Sequence, residues 1–243
     1  MAQLITEAYT DRPALDVAVS AAILERVARG ELPETIRIAR PGAMVAFGKQ
    51  DKASPWYVEA AAAAREQGFE AVHRLAGGRA AVFHDQTVAF AWARAEEDPW
   101  PGTHDRFREI AGVLERALRS LGVDARTGEV PGEYCPGDYS INARGETKLV
   151  GLGQRIIKGA SHIGGVIVVG GADRIRDVLV PVYDALGLDW EPRTSGSVED
   201  EVGPTPFEDV TGAIRRELGD PEEAQLDPET IALAEQLEPE HLG

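Results

Sequence analysis

Residues 133–155, EYCPGDYSINARGETKLVGLGQR, hold the only cysteine of the 243-residue chain, Cys135, and thirteen residues beyond it Lys148. A thiol attacks as its thiolate, which nearby positive charge favours. Arg144, Lys148, Arg155 and Lys158 fall between positions 140 and 160 against one acid, Glu146. Cys135 precedes Pro136-Gly137, a turn, so it belongs to a loop and reads either as a small apolar filler or as a reactive thiol. If the strand that begins near Lys148 pairs antiparallel with DYSIN, the ammonium returns towards the Cys135 loop. There it could take up the thiol proton.

A second stretch, HRLAGGRAAVFHD (73–85), carries Gly77-Gly78 between two strand-like runs. Glycines let a backbone turn sharply and approach a ligand closely, although a Gly-Gly between strands also reads as a plain hairpin. Arg74 and Arg79 flank the pair and suit a carboxylate or phosphate. The stretch lacks the lysine-hydroxyl ending of a Walker loop and the spaced glycines of a dinucleotide fingerprint. His84 and Asp85 are adjacent, and neighbours on a strand face opposite ways, which argues against a catalytic pair. A third stretch, GLGQRIIKGASHIGG (151–165), has glycines at 151, 153, 159, 164 and 165. Small residues such as Gly151 and Gly153 leave room along a strand for something slender, an acyl chain for example. His162 reads as a base or as a structural histidine.

These segments need a scaffold, and the pattern supplies one. PALDVAVSAAILERVARGE has apolar residues at helical spacing, as does HDRFREIAGVLERALRSLG. SPWYVEAAAAAREQG has Ser54 as N-cap and Pro55 at the first helical position. TIRIAR and AMVAFGK, joined by Pro41-Gly42, predict a hairpin. FEAVHRL, RAAVFH, TVAFAWARA, DYSIN, KLVGLGQRIIK and GGVIVVG read as strands. GADRIRDVLVPVYDALG reads as a helix kinked or broken at Pro181. Strands arriving in consecutive groups predict an α+β fold with mixed, largely antiparallel sheets flanked by helices.

The chain is 43% apolar and 27% charged, with a net charge of −16. Residues 189–243 carry 16 acidic and 3 basic side chains, so the acidity is concentrated there. The expected division is a catalytic domain over 1–190 and an acidic C-terminal segment over 191–243, with short helices around 206–218 and 228–237. No basic stripe with interleaved aromatics argues for nucleic acid. No apolar run approaches membrane-spanning length. One cysteine excludes an internal disulfide and a Cys-rich zinc cage, and no metal site is expected. Without a visible secretory signal, the cytoplasm is the expected compartment.

Together the three stretches resemble the lipoate–protein ligase and octanoyltransferase superfamily, whose catalytic fold is shared with biotin–protein ligases. RLAGGRAAVFHD matches its Arg-containing strand, Gly-Gly turn and apolar run, and KLVGLGQR matches its lysine-led strand. A cysteine in Cys-Pro-Gly ahead of that strand is similar to the cysteine-dependent octanoyl-[H protein]:protein amidotransferase branch. The resemblance implies Cys135 and Lys148 as catalytic residues, with Arg74, Gly77, Gly78, Arg79, Gly151 and Gly153 around the substrate. It implies transfer of an octanoyl or lipoyl group through a cysteine thioester to a lysine of a lipoyl carrier domain. The carriers would be the glycine-cleavage H protein and dehydrogenase E2 subunits. No cofactor is implied for amidotransfer; an ATP-dependent lipoate–protein ligase, the alternative, would use ATP and Mg. A catalytically silent acyl-carrier or small-acid binding regulator is a further alternative. Arg79 stands where the ligases have a third glycine or small residue. Gly159-Ala160-Ser161 lacks the cysteine of the carrier-protein octanoyltransferases, and the Gly-Arg-Gly-Arg type loop of biotin ligases is absent.

Overall fold

A computed structural model describes residues 2–243. In chain order the elements begin with β1 (Gln3–Ile5), α1 (Pro13–Ala28), β2 (Thr35–Ala39), β3 (Met44–Phe47), α2 (Lys49–Lys52) and α3 (Tyr57–Glu66). Next come β4 (Glu70–His73), β5 (Ala81–Phe83), β6 (Thr87–Ala95), α4 (Thr103–Ser120), β7 (Ala125–Thr127), β8 (Ile141–Ala143), β9 (Thr147–Ile157) and β10 (Ala160–Val168). The chain closes with α5 (Ala172–Leu186), α6 (Val198–Val202), α7 (Phe207–Glu217), β11 (Glu222–Glu223) and α8 (Pro228–His241). The fold is α+β, as the grouping of strands predicts.

One sheet has eight strands in the order β11-β1-β2-β6-β10-β9-β8-β7, and a second has three in the order β4-β3-β5. In the large sheet, pairing is antiparallel from β2 to β7 and parallel where β1 meets β2 and β11. Two expectations fail here. β2 and β3 form no hairpin, because β2 pairs with β6 in one sheet while β3 sits between β4 and β5 in the other. Period-2 alternation identifies a strand but carries no information about its partner. For the same reason Gly77-Gly78 is not a hairpin turn: β4 runs parallel to β3, β5 runs antiparallel to it, and the loop crosses between them. α3 begins at Tyr57, two residues beyond Pro55, and α5 runs through Pro181 to Leu186.

The core divides along the sheets. Ile36, Phe90, Ile110, Leu114, Ile163 and Ile167 fill the space between the large sheet and α4 with α7. Val45, Phe47, Val82, Leu179 and Val182 join the small sheet to α3 and α5. α1 covers the other face of the large sheet, and α8 lies along α1, where Leu233, Ala234 and Leu237 meet a cluster containing Leu15, Val19 and Ile23. Asp227 caps α8 by accepting from the Thr230 backbone N–H at 3.0 Å. It also pairs with Arg26 of α1. No helix of the described residues is long and apolar enough to cross a membrane.

Deleting residues after Asp220 removes both β11 and α8 and exposes the apolar side of α1. The expected loss is at least about 3 kcal/mol, or roughly 6–12 °C in melting temperature. Calorimetric melts of the full and shortened chains check it; an unchanged melting point would show that α8 adds nothing to the core.

Candidate functional site

Lys148 begins the site. It lies near the start of β9, immediately before a register shift against β8, and is 1% exposed. A lysine so buried must place all three of its donors. Nζ donates to Glu133 Oε1 at 2.8 Å and to the backbone carbonyls of Tyr134 at 3.0 Å and Cys135 at 2.8 Å. Glu133 is equally enclosed, accepting from Ser140 Oγ at 2.5 Å and from the Val130 N–H at 3.0 Å. Antiparallel pairing of β8 with β9 thus returns the ammonium to the cysteine loop, as the sequence suggests. It reaches the loop's backbone and makes no hydrogen bond to the thiol.

Cys135 is pinned on both sides. Its N–H donates to the Tyr183 hydroxyl at 2.9 Å, and its carbonyl receives Lys148. Its φ is +44°, a left-handed conformation uncommon outside glycine. Such a residue costs of order 1–3 kcal/mol and persists when its surroundings over-determine it. The sulfur accepts from the Arg79 backbone N–H at 3.2 Å and faces Arg74 Nη1 at 3.7 Å. Arg74 also donates to the Arg79 carbonyl at 2.9 Å, tying the glycine loop to itself above the sulfur. Two of the cations expected to face the thiol are engaged elsewhere: Arg144 pairs with Glu146 and Glu201, and Lys148 is spent on Glu133. Arg74, read from sequence as an anion clamp, is the cation at the sulfur.

The glycines have unequal roles. An added Cβ at Gly78, whose φ is +118°, would stand 2.9 Å from Cys135 Sγ and 2.8 Å from Arg74 Nη1; at Gly77 it would meet nothing within 4 Å. At Gly153 it would stand 2.8 Å from the Gly77 carbonyl oxygen and 2.9 Å from Arg74 Nη2, so β9 and the loop pass too closely for a side chain. Gly151 lies beside the Lys148 stem, 3.2 Å from Cε on the same measure. The Arg79 side chain turns away to Asp51, a fully buried carboxylate, at 3.1 Å.

Gly77, Gly78, Cys135, Gly153 and Arg155 line a cleft of about 1110 Å³, with Trp100 and Tyr139 at its walls. Leu75 and Ala76 also border a smaller cavity of about 80 Å³, lined largely by apolar residues such as Met44, Phe83 and Phe90. His162 faces that cavity and is 4% exposed. Burial, with Arg74 and Arg37 nearby, pushes its pKa down to about 4, so the ring is neutral at pH 7 and a poor base. His84 is buried outside both spaces, also held at about 4 by burial, while Asp85 pairs with Arg174. Among the described residues, no three His, Cys, Asp or Glu side chains cluster as metal ligands.

Sequence reasoning missed Glu133, Tyr183 and the contact of Arg74 with the thiol. Glu133 was within reach, because a lysine near the start of a strand that packs inward needs a countercharge.

The family model of the lipoyl protein ligase A/B catalytic domain matches residues 12–188. The chain belongs to that family. It is 25% identical over 174 residues to an octanoyl-[GcvH]:protein N-octanoyltransferase of Geobacillus kaustophilus, covering 72% of this chain and 61% of the relative. It is 36% identical over 115 residues to the octanoyltransferase LipM of Kyrpidia tusciae, covering 46% and 41%. The chain thus spans about three fifths of the length of the first of these relatives. Among solved structures, protein Ta0514 of T. acidophilum with bound lipoic acid superposes with a TM-score of 0.77, at 21% identity and over 98% of this chain and 95% of that one. A lipoate-protein ligase A bound with ATP gives 0.76, at 20% identity and over 98% and 94%. At these identities the likeness establishes the fold.

Gly78→Ala should cost roughly 1–3 kcal/mol and change the iodoacetamide reactivity of Cys135 several-fold. Gly77→Ala should stay within about 0.5 kcal/mol and leave that reactivity alone. Equal effects at both positions would mean that Gly78 does not shape the thiol's surroundings.

His162 and His84 have folded pKa values below the unfolded value near 6.5, so between about 6.5 and 4 the unfolded chain binds more protons. Stability therefore falls as pH drops through this window, by about 1.4 kcal/mol per pH unit for each histidine. Denaturant unfolding of wild type and His162→Asn should differ in slope by that amount; parallel curves would place a protonated His162 in the folded state.

Proposed function

We propose that the chain is an acyltransferase that carries an octanoyl or lipoyl group on Cys135, between an acylated carrier domain and the lysine of an acceptor carrier domain. The observation that carries this reading is the sulfur at the cleft, with an N–H and a guanidinium directed at it and its backbone held in a strained conformation. The names of its relatives support the same chemistry. In the first step the Cys135 sulfur adds to the acyl carbonyl of the donor; the C–S bond forms, the donor's C–N bond breaks, and the thiol's proton passes to the leaving lysine nitrogen, which departs as the free amine. In the second, the acceptor lysine attacks the thioester, an amide forms, and the thiol is regenerated. Splitting the transfer avoids direct attack of one amine on another's amide.

Arg74 and the Arg79 N–H would steady the charge on sulfur. Lys148 is a positioning residue in this scheme, holding the Cys135 carbonyl and so the thiol's direction, because its three donors are already engaged. Gly77, with open space beside it, would give the substrate access to the backbone, while Gly78, Gly151 and Gly153 make room for the thiol with Arg74, the Lys148 stem and the glycine loop. The small apolar cavity would take the distal end of the acyl chain. Residues 1–190 would form the catalytic unit, with 191–243 as its acidic flank. The glycine-cleavage H protein as donor and dehydrogenase E2 lipoyl domains as acceptors fit this chemistry, which needs no nucleotide. ATP with Mg would be required only by a ligase.

Incubated with octanoyl-loaded H protein and no ATP, the chain should gain one octanoyl group that hydroxylamine removes. Cys135→Ala should lose the adduct and reduce transfer on the order of 10³-fold or more, with an unchanged melting point. Full transfer by Cys135→Ala that depends on ATP would identify a ligase and end the thioester reading.

A further inference from the structure

Arg37 is the anomaly of β2. In TIRIA it is the one charged residue of a strand buried throughout, and its side chain is 5% exposed. It pairs with Asp16 of α1, itself 4% exposed. All five guanidinium N–H groups are engaged: by the Glu7 carbonyl twice, the Asp16 carbonyl, the Ser20 hydroxyl and the Asp16 carboxylate. Such a pair is often no more stabilising than apolar residues of the same volume. Stability alone therefore gives no reason for it. Its position does: Arg37, Asp16 and Ser20 line the small cavity whose other walls include Met44, Phe83, Ala89 and Phe90.

We propose that Arg37, locked by Asp16, is the specificity-determining floor of the acyl cavity and limits it to chains of medium length. The inference rests on the reading that this cavity takes the distal end of the acyl chain. An alkyl end cannot advance past Arg37 without stripping the guanidinium of its partners, and a broken buried pair is strongly penalised. The guanidinium has no free donor with which to grip a ligand, so it acts as a wall. At about 80 Å³ the space is roughly half the ~150 Å³ cavity that accommodates benzene, so it takes only the last few carbons of a chain whose remainder lies in the larger cleft. Distal carbons of a long chain have no room beyond it.

The test is binding of free fatty acids, from butanoate to dodecanoate, by calorimetry on the full chain carrying Cys135→Ala, so that transfer plays no part. Affinity should rise about fourfold per methylene and stop rising at or before octanoate. In the double variant Arg37→Met with Asp16→Leu, which leaves no charge unpaired, the rise should continue for at least two methylenes, about fifteenfold in all. Val17→Phe, which fills the cavity from α1, should shift the limit to shorter chains, and it decides the question if the double variant does not fold. A wild-type profile that climbs unbroken to dodecanoate, or variants with the wild-type limit, would overturn the role of Arg37 and leave the acyl reading intact. Binding of no fatty acid at all would remove the acyl reading, and this inference with it.

Discussion

The buried contact of Lys148 with Glu133 is the constraint on which the site depends. Two charges removed from water cost several kcal/mol each, and their attraction offsets this only with good geometry and no spare donors or acceptors. Here the ammonium has three acceptors, and the carboxylate has three donors. Two of the ammonium's acceptors are successive carbonyls of the cysteine loop. Drawing both towards one point bends the chain at Cys135 into its positive-φ conformation. The Tyr183 hydroxyl then fixes the other side of the same residue while donating to the Ala80 carbonyl at 3.0 Å. Strain at the thiol is thus held by a strand on one side and a helix on the other.

Neither sheet contains the site alone. The large sheet contributes Lys148 and the small residues of β9; the small sheet contributes Arg74 and the glycine loop. The two meet at Gly153, where β9 passes the Gly77 carbonyl oxygen and the Arg74 guanidinium without room for a methyl group. The Gly77 N–H also donates to the Gln154 carbonyl at 3.3 Å across this junction. Close backbone approach is why glycine is needed there, and the same approach brings a guanidinium to the sulfur. On the proposed reading the arrangement is preorganised, since the donors already stand where charge would develop on sulfur.

Helical periods and strand runs in the sequence located most elements, because each depends on local alternation of apolar residues. Cys135 and Lys148 stood out by type and spacing, and antiparallel pairing of β8 with β9 brings their loop and side chain together as that spacing implies. Strand partners were not legible. β3 pairs with β4 and β5 and leaves β2 to β6, a choice set by packing of whole sheets and invisible in a strand's own pattern. The thiol's cation was misread for the same reason. Arg144 and Lys148 are near Cys135 in sequence, yet salt bridges absorb them, while Arg74, 61 residues away, arrives through the fold. Glu133 and Arg37 share one lesson: a charge inside an inward-facing segment demands a partner, and finding the partner requires the third dimension.

The acidic segment illustrates how charge and structure separate. Its first residues are integral to the lysine strand: Ser195 bridges Lys148, the Gly196 N–H donates to the Lys148 carbonyl at 3.1 Å, and Arg176 donates to the Ser195 carbonyl at 2.9 Å. These contacts are neutral hydrogen bonds or single charge-assisted ones, and they brace the backbone from which the Lys148 side chain projects. The acids that follow sit largely on exposed faces of α6, α7 and α8, where water and salt screen them beyond about 8–10 Å. Several of their partners are surface arginines, as in the pairs of Glu217 with Arg116 and Glu238 with Arg12, contacts that typically contribute little to stability. Apolar and backbone contacts therefore hold the segment in place. Its charge acts mainly at the surface, so the electrostatics of the thiol are set by Arg74 and the enclosed Lys148–Glu133 pair.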